Sequence, residues 1–302
     1  MSEHITHIAI YEDLARIALS IPEICAPFKT CIQNQYDSGL LGSASRGNSD
    51  YAVPILEKYK DTWNSVKSDR EVQIRIAYAI GWLAHRAADT GFSLAFEAAE
   101  ADPNPLYTND NCRVYQDAMT FRMVYDGGKR PSLSPKEMFS QATLDYNMRS
   151  HPASGSIDVA ITEPLLTRMW QADMIKKHVF LEQEDDFDLW VDTFVERYQA
   201  LTEDVRRYEE AYNHPDPELS RRYYDQDNYY DESDDIIRYV RAIQNGQEPG
   251  LDLKSSVEKA KDQSLYARVL RLGYFYLNGA SDYFRGDIDK PSFLAILEKR
   301  VS

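Results

Sequence analysis

Cysteine is scarce in this chain. Its 302 residues hold three, Cys25, Cys31 and Cys112, an odd number without paired metal spacing, which argues against a disulfide scaffold. Cys25 and Cys31 are near enough in sequence to be bridged, but simple buried thiols are the expectation. Positive charge is also in short supply: 34 Lys and Arg stand against 49 Asp and Glu, a net charge of -15. That balance excludes a broad electrostatic affinity for nucleic acid or anionic lipid, though not a local cationic or metal site for a phosphate. No apolar run approaches the ~20 residues of a membrane span, because charges interrupt every candidate. The first stretch, MSEHITHIAIYEDLARIALSIPEI, lacks a basic n-region followed by an unbroken apolar h-region. As given, the sequence reads as cytoplasmic, and as secreted if a signal peptide preceded it. Alternation of period two is nearly missing and no fixed-period repeat is evident, which argues against strands and against a solenoid.

What is present is core material, 43% hydrophobic and 12% aromatic, arranged at helical spacing. Ile8, Ile10, Leu14, Ile17 and Ala18 predict a first helix that Pro22 stops. The stretch YDSGLLGSASRGNSDY, residues 36–51, carries Gly39, Gly42 and Gly47 among serines and asparagines and predicts a long loop, or a loop broken by one short apolar turn. Residues 52–67 and 70–101 predict two helices, the second apolar nearly all round and therefore central. A break at 102–110 precedes a helix that ends at Gly127 and Gly128. Further amphipathic stretches cover 136–150, 157–179, 185–212 and 234–243, with two more near the C-terminus. The tyrosine-rich acidic stretch HPDPELSRRYYDQDNYYDESDD, residues 214–235, reads as a solvated connection. The fold expected is all-α.

Inside the central helix, AYAIGWLAHRAAD sets His85 and Asp89 one turn apart on one face, so an imidazole nitrogen and a carboxylate can converge on one cation. A buried hydrogen-bonded pair is the competing reading of an isolated HxxxD. Three motifs occur in a telling order: THIAIYEDLARIA, a glycine loop ending NSDY, and AYAIGWLAHRAAD. Together they resemble the zinc-dependent phospholipase C family, related in fold to the single-strand-specific zinc nucleases. The resemblance implies an all-α bundle with residues 1–130 as its helical core, and with further helices over 131–302 packing on that core. It also implies His7, Asp50, His85 and Asp89 as metal ligands, and zinc as cofactor.

The departures from the family pattern are specific. The family has a histidine between the loop aspartate and the central helix, where this chain offers Asn64. It has another shortly after the HxxxD aspartate, where this chain has Thr90 and Ser93. A later HxxxE-type pair is replaced by NCRVYQDA, leaving Asp110, Cys112 and Asp117 as additional ligand candidates. Four ligands suffice for one zinc ion, so the expectation is one ion or none. Arg46 is a candidate for binding a substrate phosphate, since a guanidinium fork matches its oxygens. His151, His178 and His214 read as loop or helix-end residues. Two functions follow from the resemblance. One is a metal-dependent phosphoester hydrolase with a reduced site, acting on a phospholipid headgroup or another phosphoester small molecule. The other is a catalytically degenerate relative that serves as a binding or interaction module.

Overall fold

The computed structural model describes residues 4–44, 49–130, 207–208, 210–223 and 228–301. The described residues are helical, without a strand among them. Helix α1 (His4–Ser20) ends before Pro22, as its periodicity predicts. It is followed by α2 (Ala26–Asn34), α3 (Tyr36–Ala44), α4 (Ser49–Lys60), the single turn α5 (Trp63–Val66), the long α6 (Arg70–Glu100) and α7 (Asn109–Met123). After the gap in description come α8 (Pro217–Arg221), α9 (Asp235–Gln244), α10 (Leu253–Lys259), α11 (Leu265–Arg285) and α12 (Lys290–Leu297). Three helices thus follow α9 where the pattern predicts two. The predicted stretches 136–150 and 157–179, and 185–206 of the third, lie outside the described residues.

Helix α6 is the central element. Its apolar residues leave no polar face over its middle, where Ile76, Ala79, Ile80, Trp82, Leu83 and Ala87 are all buried. Such a helix needs cover on all sides, and α1, α2, α3, α4, α7 and α11 pack around it.

Two sequence expectations need correction. Residues 36–44 form α3 rather than a loop. Glycine has two uses, and here it removes bulk instead of making turns. A Cβ built on Gly81 would lie 1.9 Å from the Gly39 carbonyl oxygen, and one on Gly42 would lie 2.1 Å from the Tyr78 oxygen. Backbone therefore meets backbone where α3 crosses α6. The described part of the tyrosine-rich segment is likewise not wholly solvated. Asp216 caps α8 by accepting from the Glu218 and Leu219 amides at 2.8 and 3.0 Å, and Leu219, Tyr223 and Tyr229 are buried. Tyrosine brings a large apolar ring behind its polar tip, so a polar-looking string can still supply core. All three cysteines are buried thiols, as expected, and burial pushes the Cys31 thiol up to about 12.

A buried ionic cluster ties α1 to the C-terminal half. Asp13 accepts from Arg16 at 2.6 Å, from both terminal nitrogens of Arg241 at 3.1 and 2.6 Å, and from the Tyr266 hydroxyl at 3.0 Å. Burial pushes the Asp13 carboxyl up, and Arg241 and Arg16 more than offset this and hold it below the usual carboxylate range. Its stabilising effect is therefore complete above the unfolded-state value near ~4 and lost as pH falls through the lower folded value. We predict that Asp13→Ala, which leaves the buried Arg16 with Glu12 at 3.7 Å and Arg241 with the neutral Gln244 and Tyr230, costs about 3 kcal/mol. Urea denaturation at neutral pH checks this, and a loss below about 1 kcal/mol would mean the cluster is hydrated in solution.

Candidate metal centre

Two helices supply the site. The first turn of α1 carries His7, and α6 carries His85 and Asp89 one turn apart. His7 Nε2 lies 3.1 Å from Asp89 Oδ1, and His85 Nε2 lies 3.2 Å from Asp89 Oδ2. The two imidazole rings stack, with centroids 4.4 Å apart and planes 15° from parallel. One donor atom from each of the three residues lies within 4.8 Å of the others. Both histidines are buried, at 5% and 7% exposure, whereas the Asp89 side chain keeps 27% and forms the open edge.

The far side of His85 fixes its chemistry. Nδ1 is 3.0 Å from the main-chain oxygen of Ser43. A carbonyl can only accept, so Nδ1 carries a hydrogen and donates it. This leaves Nε2 as the nitrogen facing Asp89. A carboxylate oxygen and an imidazole lone pair 3.2 Å apart repel unless a positive charge, a proton or a metal ion, sits with them. A ring oriented by a backbone carbonyl on one nitrogen, with the other turned inward, is the arrangement that metal-ligating histidines adopt. Burial pushes the Asp89 carboxyl up, and the facing His7 and His85 imidazoles, when they carry the proton that lets them donate to it, outweigh this and hold it well below the ordinary carboxylate range.

The donor set fits a divalent ion. Two ligand atoms about 2.1 Å from a tetrahedral zinc ion stand about 3.4 Å apart; each imidazole nitrogen stands 3.1 or 3.2 Å from its own Asp89 oxygen, and one donor from each residue lies within 4.8 Å of the others. Three protein ligands also leave a coordination position for water or substrate, as a catalytic zinc site requires.

The structure thus brings together His7, His85 and Asp89 from the predicted set. Asp50 stands in the first turn of α4 and Asp110 in that of α7, but their side chains lie outside the described residues, as does all of Arg46. Asp117 and Cys112 do not join the trio at ligand spacing among the described residues. Asp117 instead accepts from the Ile5 and Thr6 amides at 3.0 and 2.8 Å, from Thr6 Oγ1 at 2.7 Å and from the Tyr208 hydroxyl at 2.7 Å. Both of its oxygens are engaged in capping α1, which corrects its reading as a ligand candidate. Cys112 is a buried thiol whose carbonyl accepts from Tyr223. Asn64 and His214 are exposed, while His151 and His178 lie outside the described residues.

Sequence reasoning missed two contributors, the Ser43 carbonyl and the Asp117 cap. Neither leaves a local signal, because each acts across a helix crossing. The likeness to the zinc-dependent phospholipase C family rests on the quoted motifs alone. No known family model matches the chain, and neither does any curated protein or solved structure.

Proposed function

We propose that this protein binds one divalent ion, zinc, through His7, His85 and Asp89 and works as a metal-dependent phosphoester hydrolase of reduced ligand set. The observation that carries the reading is the convergence of one donor atom from each residue within 4.8 Å, with His85 oriented by the Ser43 carbonyl. His7, His85 and Asp89 would hold the zinc ion, which would supply a water of lowered pKa and a Lewis acid for a phosphoryl oxygen. The protein's own part is to hold the three donors, turn the His85 lone pair inward and leave access along the Asp89 edge. The net charge of -15 disfavours a nucleic-acid substrate, so a phosphoester small molecule or a lipid headgroup is the substrate class.

A second reading has its own support. Burial of His7 and His85 to 5% and 7% narrows the approach to the ion, which suits a structural ion in a binding or interaction module. The two readings separate by elemental analysis of protein purified without chelator, followed by turnover of bis(p-nitrophenyl) phosphate with added zinc. The hydrolase reading expects bound zinc and slow, chelator-sensitive turnover. Bound zinc without turnover supports the structural ion, and no bound metal defeats both.

A further inference from the structure

Resting on the metal reading of the trio, we infer that Asp117 is a positioning residue for the metal centre: its carboxylate clamps the first turn of α1 and thereby sets His7 against His85 and Asp89. The first four amides of a helix have no partner within it, and a first turn without a cap frays. Helix α1 begins at His4, so His7 belongs to that first turn. Its two ligand partners both stand on α6, so the geometry of the trio depends on where the start of α1 is held.

The cap comes from another helix. Asp117, on α7, takes the Ile5 amide on Oδ2 at 3.0 Å, and the Thr6 amide and hydroxyl on Oδ1 at 2.8 and 2.7 Å. These bonds are buried, and a carboxylate at the positive end of a helix forms strong charge-assisted hydrogen bonds. Thr6 directly precedes His7 and also meets Thr120 Oγ1 on α7 at 2.9 Å. The clamp therefore fixes the two residues immediately before the ligand to a helix that supplies no ligand of the trio. The rest of α1 is held independently. Ile10, Leu14 and Ile17 are buried further along it, and Asp13 is tied to Arg241, so loosening the first turn leaves the helix in place.

The test compares Asp117→Asn with the parent. Asparagine keeps one accepting oxygen and turns the other into a donor facing an amide or a hydroxyl, which breaks the clamp on one side. Cobalt(II) serves as the probe, its visible absorption bands reporting coordination, with zinc affinity then measured by competition. We expect Asp117→Asn to weaken zinc binding 10- to 100-fold, the range typical when a group supporting a ligand is lost. We also expect altered cobalt bands, together with a lowered metal-free melting temperature, because a buried donor is left facing a donor. Unchanged affinity and bands alongside a lowered melting temperature would make Asp117 a purely structural cap and overturn the inference. A parent that binds no cobalt or zinc overturns the metal reading itself, and the inference with it. If Asp117→Asn does not fold, Thr6→Val, which removes the Oγ1 bonds to Asp117 and Thr120 and nearly keeps the side-chain shape, carries the same comparison. It should weaken zinc binding several-fold, and unchanged binding would count against the clamp.

Discussion

Chelation is expected to lower the melting temperature of the parent protein by about 10 °C and to leave His7→Ala, His85→Ala and Asp89→Ala unmoved. An ion present at about a thousand times its Kd stabilises the folded state by about 4 kcal/mol, and in a large domain each kcal/mol moves the midpoint by about 2–4 °C. Each substitution removes one of three protein donors, so bound metal should fall from one ion per chain to none. Without metal the variants should still melt below the parent, because each histidine substitution loses one of the 3.1 and 3.2 Å contacts to Asp89 and Asp89→Ala loses both. Differential scanning calorimetry with and without chelator, paired with elemental analysis, reads both effects. A parent that carries no zinc, manganese or iron and melts identically in chelator would make the trio a hydrogen-bonded core cluster and remove the ligand assignment.

The second large effect concerns the crossing of α3 over α6. Gly81→Ala is expected to destabilise the protein by about 3 kcal/mol, the upper end of ordinary overpacking, and Gly81→Leu to prevent folding. A Cβ at Gly81 would lie 1.9 Å from the Gly39 oxygen and 2.7 Å from the Gly39 carbonyl carbon. These are backbone atoms that cannot swing aside, so the helices must separate. Alanine also gains about 0.5–1 kcal/mol of helix preference over glycine, and the clash must exceed that. Because Ser43 stands four residues beyond Gly39 on the same helix, separation also draws its carbonyl away from His85 Nδ1. Zinc affinity should therefore fall together with stability. Urea denaturation that shows Gly81→Ala equal to or better than the parent would mean that the helices approach less closely in solution.

The sequence made some of this legible and hid the rest for physical reasons. Helix α6 was readable because a run that is apolar all round has one stable position, the centre of the core. His85 and Asp89 were readable as a pair because a spacing of four residues puts them on one helix face. Placing His7 beside them took the motif resemblance, since no local rule connects residues 82 positions apart. The glycines of 36–44 misled because low bulk serves a turn and a close helix crossing equally, and only the partner surface, Gly81 and Tyr78, decides between them. The tyrosines of 214–235 misled because string polarity counts the hydroxyl and overlooks the ring, and Tyr229 is buried with its ring against Phe92 and Tyr266. Asp117 is the sharpest instance. A buried carboxylate near a candidate metal site reads as a ligand until its hydrogen bonds are seen to end on the amides of another helix.

The reach of α1 across the sequence bears on how the chain emerges during synthesis. His7 is 82 positions from Asp89, and Asp13 is 228 positions from Arg241. At ribosomal rates of about 5–20 residues per second, Asp89 follows His7 within about 4–16 s, whereas Arg241 follows Asp13 only after about 11–46 s. One end of α1 can therefore gather its ligand partners while the other still carries a buried-to-be carboxylate with Arg16 as its nearby cation. For that interval an ion would act as an early staple between the first helix and the core helix, before the C-terminal half exists. Starving growing cells of zinc should then lower the yield of soluble protein more than removing zinc after folding lowers its stability.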